Sequence, residues 1–148
     1  MASVLHNRAF FLEQQGKYAA ADPLYVRAID IWEMALGPEH PNLGISLCHR
    51  AGLVGKQGNV SGADGLYVRA IEITEKALGP DSPRMATLLN KRGVFLEQQG
   101  RYREAIPLLE KIVSSRKKNL GENHRDTVDA RDRLKRARKH TGVQNPRK

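Results

Sequence analysis

The chain has 148 residues, which is enough for one domain, and it is 40% hydrophobic and 28% charged with a net charge of +9 at pH 7. It contains no apolar run long enough to span a bilayer and no basic-then-apolar leader. Cys48 is the only cysteine, which excludes an internal disulfide and indicates a reducing, cytoplasmic location.

The positive charge is confined to the end of the chain. Residues 1–110 contain 12 Lys or Arg and 12 Asp or Glu, whereas residues 111–148 contain 13 basic and 4 acidic residues. A basic surface can indicate nucleic-acid binding. Here the excess charge belongs to the C-terminal segment and not to the body of the protein.

A period of 42 residues occurs three times. The hexapeptide LYVRAI occupies residues 24–29 and again 66–71, and glycine recurs at Gly16, Gly58 and Gly100. A fixed period of this size indicates a solenoid, in which each unit buries its apolar face against its neighbours.

Each period predicts two helices. The first ends near the Gln-Gly pair or its equivalent, and the second ends in a Leu-Gly pair, because glycine supplies the left-handed turn that closes a helix. The apolar positions between these stops follow the 3.6-residue helical period. The predicted second helices are Tyr18–Leu36, Val60–Leu78 and Tyr102–Leu120.

The first helices of later repeats are predicted to begin at prolines. Pro41 and Pro83 suit the first helical position, where the missing N–H costs nothing, and Ser82 is a suitable cap. His40 and His124 recur at the same cap position, so we interpret them as caps or turn residues and not as metal ligands.

The chain then predicts a seventh helix with a narrow apolar stripe and a polar outer face, as the end of a solenoid requires. The predicted organisation is a repeat domain at 1–140 and a flexible basic tail at 141–148. The domain divides into repeats at about 3–44, 45–86 and 87–124 and a capping helix at 125–140.

This pattern resembles the tetratricopeptide repeat, in which small and large apolar residues alternate between two helices, as at Ala9, Leu12, Ala21, Tyr25 and Ala28. The segment Gly16–Leu43 resembles the 42-residue subclass of kinesin light chains and nephrocystin-3. The segment Arg116–Leu134 resembles the last repeats of regulatory NTPases of the NB-ARC or NACHT type. The resemblance implies an all-α fold: a right-handed superhelical solenoid of three helix-turn-helix units plus a capping helix, seven helices in all.

The resemblance also implies a protein–protein interaction scaffold at the terminal part of a longer array in a regulatory or sensor protein. In such arrays the first helix of each repeat lines a concave groove that binds a peptide or protein segment. Side-chain amides there can hold an extended peptide backbone. By position, the groove residues would be His6, Asn7, Phe10, Glu13, Gln14, Cys48, His49, Lys56, Asn90, Lys91, Val94, Glu97 and Gln98.

An arginine ladder, Arg8, Arg50 and Arg92, occupies positions where the family more often has leucine. The three guanidinium groups could grip an acidic peptide or a phosphate. Alternatively, and in our preferred interpretation, they pair with second-helix acids such as Glu33 and Glu75, because an unpaired buried charge is costly.

Other chemistry is weakly represented. The basic C-terminal helix could bind nucleic acid or another anionic surface, but it lacks aromatic residues for base stacking, so a solvated cap is favoured. No His, Cys or Asp set has metal-ligand spacing, and no nucleophile–base pair can be proposed, so we expect no metal, no cofactor and no enzymatic activity. The apolar residues Val4, Leu5, Phe10 and Phe11 predict self-association through the N-terminal end.

Overall fold

A computed structural model describes residues 1–142, which form an all-α repeat. The helices in this range are α1 Ala2–Gln14, α2 Tyr18–Leu36, α3 Pro41–Lys56, α4 Val60–Leu78, α5 Pro83–Gln98, α6 Tyr102–Leu120 and α7 Arg125–Thr141. The bounds predicted for the three second helices are confirmed at both ends. The capping helix is one residue longer than predicted because Gly142, at φ 71°, closes it after Thr141. Most of the predicted tail, residues 143–148, lies outside the described residues.

The predicted caps are confirmed. The imidazole of His40 accepts the backbone N–H of Asn42 at 3.2 Å, and His124 accepts that of Asp126 at 3.1 Å. Ser82 caps α5 with its hydroxyl. Each of these side chains satisfies one of the backbone donors that the first turn of a helix leaves without an intrahelical partner.

The second helices all end in the same way. Gly37 has φ 89°, and the equivalent glycines 42 and 84 residues later have φ 85° and 92°. A side chain would be strained in this conformation, so the Leu-Gly pair fixes where each second helix stops.

The chain divides into two compact units, of which the first is Met1–Pro80. In this unit α1 packs on α2, α2 on α3, and α3 on α4. The core combines large side chains with fully buried alanines at matching positions of both helix pairs. These residues are Tyr25, Leu43, Leu47 and Leu53 with Ala9, Ala21, Ala28, Ala51, Ala63 and Ala70.

The second unit begins at Asp81 and contains α5, α6 and α7. Here α6 packs on both of the other helices. The buried side chains that hold this unit together are Leu88, Leu89, Leu96, Leu109, Ile112, Leu134 and Ala137. Between residues 1 and 142 no helix is long and apolar enough to cross a membrane.

The helices α3 and α4 pack closely at Gly44. A Cβ atom there would lie 2.2 Å from the Oγ1 atom of Thr74 and 3.1 Å from the carbonyl oxygen of Ala70. Thr74 is itself fully buried, and its hydroxyl donates to the carbonyl oxygen of Ala70 at 2.8 Å, so moving it aside would cost that hydrogen bond. Position 44 therefore requires glycine.

We predict that Gly44→Ala lowers the free energy of unfolding by about 1–3 kcal/mol, because overpacking forces the two helices apart. Gly65→Ala is the matched control, since nothing lies within 4 Å of a Cβ atom at that helical position. The control should raise stability by about 0.5–1 kcal/mol through helix propensity. Urea unfolding followed by circular dichroism measures both changes, and equal midpoints for the two variants would contradict the close packing at Gly44.

Candidate functional site

In the first unit the predicted groove residues lie along α1 and α3, which contact each other. Asn7, Phe10 and Gln14 are exposed on α1, and His6 is half-buried beside them. These four residues follow the three- and four-residue spacing of one helical stripe, so they present a common face.

An aromatic cluster surrounds His6. Its ring centroid lies 5.4 Å from that of Tyr25, 5.7 Å from that of Trp32 and 5.2 Å from that of His49. Phe10 packs edge-on against His49 at 5.3 Å. The cluster joins α1, α2 and α3 next to the exposed stripe of α1.

His6 is held as a neutral imidazole. Its Nδ1 atom lies 2.7 Å from the hydroxyl oxygen of Ser46, a fully buried residue of α3. Burial lowers the pKa of His6 below its usual value near 6.5, and the charge of Glu13 opposes this shift only in part. The imidazole therefore provides hydrogen-bonding atoms without a positive charge at neutral pH.

Glu13, one of the predicted groove residues, is only 8% exposed. The hydroxyl of Tyr25 donates to one carboxylate oxygen at 2.8 Å, and Lys56 approaches the other at 3.3 Å. Burial, together with the bond to Glu13, raises the pKa of Tyr25. The buried carboxylate thus positions Lys56, whose side chain is half-exposed, at the edge of the stripe.

Cys48, another of the predicted groove residues, is only 2% exposed. It shares the register of His6 and Asn90, but its small side chain lies within the core of the first unit. A buried thiol cannot contact a ligand at the surface or react readily with solutes. On α3 the outward positions are taken by His49 and Lys56.

A cleft of about 180 Å³ opens beside the aromatic cluster. Its walls combine neutral polar groups with apolar surface, and the residues that line it are Ser3, His6, Asn7, Trp32, Asn42 and Ile45. A cleft of this composition can accommodate an uncharged side chain next to the stripe.

In the second unit α5 presents Lys91, Val94 and Gln98 to solvent. The predicted groove residues Asn90 and Glu97 are instead held from within the protein. Arg133 of α7 donates to Glu97 at 2.7 Å and also to the side-chain oxygen of Asn90.

Arg133 is 7% exposed, and sequence reasoning missed it because the seventh helix was interpreted as a solvated cap. The signal that could have found it is the period itself, since Arg133 stands 42 residues after Lys91. By register α7 is therefore the first helix of a fourth repeat, and its arginine completes the polar layer of α5.

The three arginines of the predicted ladder differ in their surroundings. Arg50 pairs with Asp22 of α2 at 2.8 Å and not with Glu33, which instead binds Arg69 at 2.9 Å. Arg8 is exposed, and Arg92 is half-buried. The Arg50 pair is consistent with the interpretation that these residues hold neighbouring helices, and the anion-binding alternative remains a prediction.

Several cations of α7 are engaged internally. Arg131 donates to the carbonyl of Glu122, and Arg138 binds Glu110 at 3.2 Å. The lysines and arginines that are exposed on this helix are Arg125, Lys135, Arg136 and Lys139. The free basic surface of α7 is therefore smaller than its composition suggests.

Family comparison agrees with this architecture. The model of the tetratricopeptide repeat family matches the chain over residues 1–76, 50–118 and 84–142. The chain belongs to the tetratricopeptide repeat family. Such repeats form a non-enzymatic type of scaffold for protein–protein interaction, which is the function that the family supports. No curated protein matches the chain significantly in sequence.

Solved structures place the fold among the all-α helical-repeat solenoids. The kinesin light chain nearly identical TPR-like repeats of Podosopora anserina are 25% identical, with a TM-score of 0.82 over 95% of this chain and 67% of that one. BtubC (BKLC) from P. vanneervenii is 21% identical, with a TM-score of 0.84 over 96% of this chain and 57% of that one. The chain thus spans about three fifths to two thirds of these structures and is of the kinesin light chain type of repeat array.

We predict that Arg133→Ala lowers the free energy of unfolding by about 3 kcal/mol, because it leaves Glu97 with an uncompensated, largely buried charge. Arg136→Ala on the exposed face of the same helix is the control and should change stability by less than about 0.5 kcal/mol. Chemical denaturation measures both. An Arg133 variant as stable as the control would show that the ion pair does not hold α7 to α5.

We also predict that His6 makes the protein less stable in mild acid. Because its pKa is lower in the folded state, the unfolded chain binds more protons below about pH 6.5, so stability falls as the pH drops from 7.5 to 5.5. His6→Asn, the residue found at the same register in the third repeat, should weaken this dependence. Thermal melts at the two pH values measure it, and an unchanged slope in the variant would contradict the assignment to His6.

Proposed function

We propose that the protein is a scaffold that binds an extended peptide or protein segment along the exposed stripes of its first helices. The observation that carries this proposal is a group of three residues at equivalent positions of α1, α3 and α5, the first helices of the three predicted repeats. In α1 these are Asn7, Phe10 and Gln14, so that one side-chain amide lies on each side of an apolar ring.

The same arrangement recurs in α5, where Lys91, Val94 and Gln98 occupy the equivalent positions. In α3 the group is His49, Gly52 and Lys56. The central position is a glycine, and a Cβ atom there would lie 3.4 Å from the hydroxyl oxygen of Tyr67. Each of these three helices thus offers a polar side chain, then a glycine or an apolar side chain, and then a second polar side chain.

The spacing of each group fits an extended chain. Residues seven apart on a helix are separated by about 10.5 Å, since each residue rises about 1.5 Å. Three residues of an extended chain cover about 10 Å. The outer polar side chains can therefore pair with backbone groups of the segment while the central position receives one of its side chains.

Contacts inside the first unit support this function energetically. In the first unit the aromatic cluster and the hydrogen bonds of Glu13 hold the stripe before a ligand arrives. Side chains that are already ordered lose less conformational entropy on binding. The internal bonds of Arg131, Arg133 and Arg138 make nucleic-acid or anionic-surface binding through α7 the less favoured alternative.

We further infer that the protein works inside the cytoplasm as part of a regulatory or scaffolding assembly. The similar solved structures are longer arrays of the same type, and the reduced state of a single buried cysteine suits that compartment. A protein segment bound along the first helices would then link the array to its partner.

The proposal is tested with a peptide display library panned against the full chain, followed by calorimetric titration of the selected peptides. The site variant removes four exposed side chains, with Asn7→Ala, Gln14→Ala, Lys91→Ala and Gln98→Ala. The matched control removes three other exposed amides and one other lysine, with Gln15→Ala, Gln57→Ala, Gln99→Ala and Lys17→Ala.

We expect the site variant to bind at least about tenfold more weakly, because it loses several hydrogen bonds of about 0.5–1.5 kcal/mol each. The control variant should keep the wild-type affinity. Equal affinity of the site variant and the wild type would exclude peptide binding by the stripes.

A further inference from the structure

The cleft beside the stripe of α1 is polar but carries no charge. Trp32 and Ile45 supply its apolar wall, and its polar lining residues are Ser3, His6, Asn7 and Asn42. Burial lowers the pKa of His6, so its imidazole is neutral at neutral pH. A charged ligand group would therefore lose its hydration in this cleft without meeting an opposite charge.

A purely apolar group fits the cleft equally poorly. The volume of about 180 Å³ has room for several water molecules, which bond to polar walls when no ligand is bound. An apolar side chain that displaced them would leave the polar lining groups without hydrogen bonds. The suitable ligand group is therefore neutral and able to replace the hydrogen bonds of water.

The hydrogen-bonding capacity of the cleft is of both kinds. Within residues 1–142 the side-chain amides of Asn7 and Asn42 have no hydrogen-bond partner, and each offers N–H donors and a carbonyl acceptor. The Nδ1 atom of His6 is occupied by Ser46 at 2.7 Å, which leaves Nε2 for a ligand. A carboxamide matches this set, because it combines two N–H donors and an acceptor oxygen in one neutral group. A hydroxyl carries a single donor and would satisfy fewer of these groups.

The residues of this cleft occur in one repeat only. Trp32 is the only tryptophan of the chain, and a threonine and an arginine stand at its register in the later repeats. The equivalents of Asn42 are Arg84 and Asp126. A cleft that served helix packing alone would carry similar residues in every repeat. Its composition therefore favours selection at a single position of a ligand.

We propose that this cleft selects a carboxamide side chain, asparagine or glutamine, at one position of the bound segment. Asn7 and Asn42 exchange hydrogen bonds with the amide, and the indole of Trp32 excludes water from one side of it. This inference rests on the proposed binding of a segment along the first-helix stripes, and it adds the residue type that the segment must carry.

The probes are tryptophan-free peptides that panning against the full chain selects. Each is resynthesised with glutamine, glutamate or methionine at every position in turn. The three side chains are similar in size, but glutamate is charged and methionine has no N–H donor. Calorimetric titration measures affinity, and the emission of Trp32 reports whether the cleft is filled, since the chain has no other tryptophan.

Two variants of the full chain locate the selection. Asn42→Leu removes the amide from the cleft at nearly constant size, and it leaves the cap of α3 in place because His40 accepts the backbone N–H of residue 42. Gln57→Leu makes the corresponding change at an exposed position just after the other end of α3. Circular dichroism verifies that both variants are as helical as the wild type.

We expect one peptide position at which glutamine binds at least about tenfold more tightly than glutamate and methionine, because only glutamine replaces the lost hydrogen bonds. Filling of that position should change the emission of Trp32. Asn42→Leu should reduce the preference for glutamine over methionine to less than about threefold, and Gln57→Leu should retain it.

The outcomes separate this inference from the proposed function. Peptides that depend on the stripe residues but show no position of this kind would overturn the carboxamide selection and leave segment binding intact. A preference that survives Asn42→Leu, or one without a change in Trp32 emission, would also overturn it. Panning that selects no peptide, or only peptides insensitive to the four-residue site variant, would overturn both.

Discussion

Close approach of the helices is the constraint on which the rest of the structure depends. In the first unit, fully buried alanines stand at matching positions of both helix pairs, and at Gly44 even one additional carbon atom would collide with Thr74. Helices that approach this closely exclude large side chains from the crossing. The large residues must then project between neighbouring helix pairs or into solvent, and this division determines which stripe of each first helix remains exposed.

The helices could be predicted from the sequence because the signals that begin and end them are local. A proline with a capping side chain begins α3 and α5, and a glycine with positive φ ends each second helix, so their bounds match the prediction. The one helix that differs, α7, follows the same rule, because it continues until the next left-handed glycine at Gly142. The period supplied the pairing of helices, since equal spacing of these stops repeats one supersecondary unit.

The burial of individual site residues could not be predicted in the same way. Register places Glu13 and Cys48 on the stripe, but their exposure depends on partners distant in sequence. Glu13 is buried because Tyr25 and Lys56 satisfy both of its oxygens, and the lysine is 43 residues away. The helical period predicts the face of the helix on which a side chain lies. Whether that side chain is exposed or buried depends on the partners that the neighbouring helix supplies.

The arginine register illustrates how the neighbouring helix decides. Arg50 can lie partly buried on α3 because α2 supplies Asp22 at the matching register. Eighty-four residues later α7 and α6 carry Leu134 and Ile106 at these two registers, and both are buried. A charged pair and an apolar pair are thus both accepted, as expected when desolvation of an ion pair roughly cancels its attraction. A charge facing an apolar residue would lose hydration without compensation, so any helix that covers an arginine at this register must bring a carboxylate.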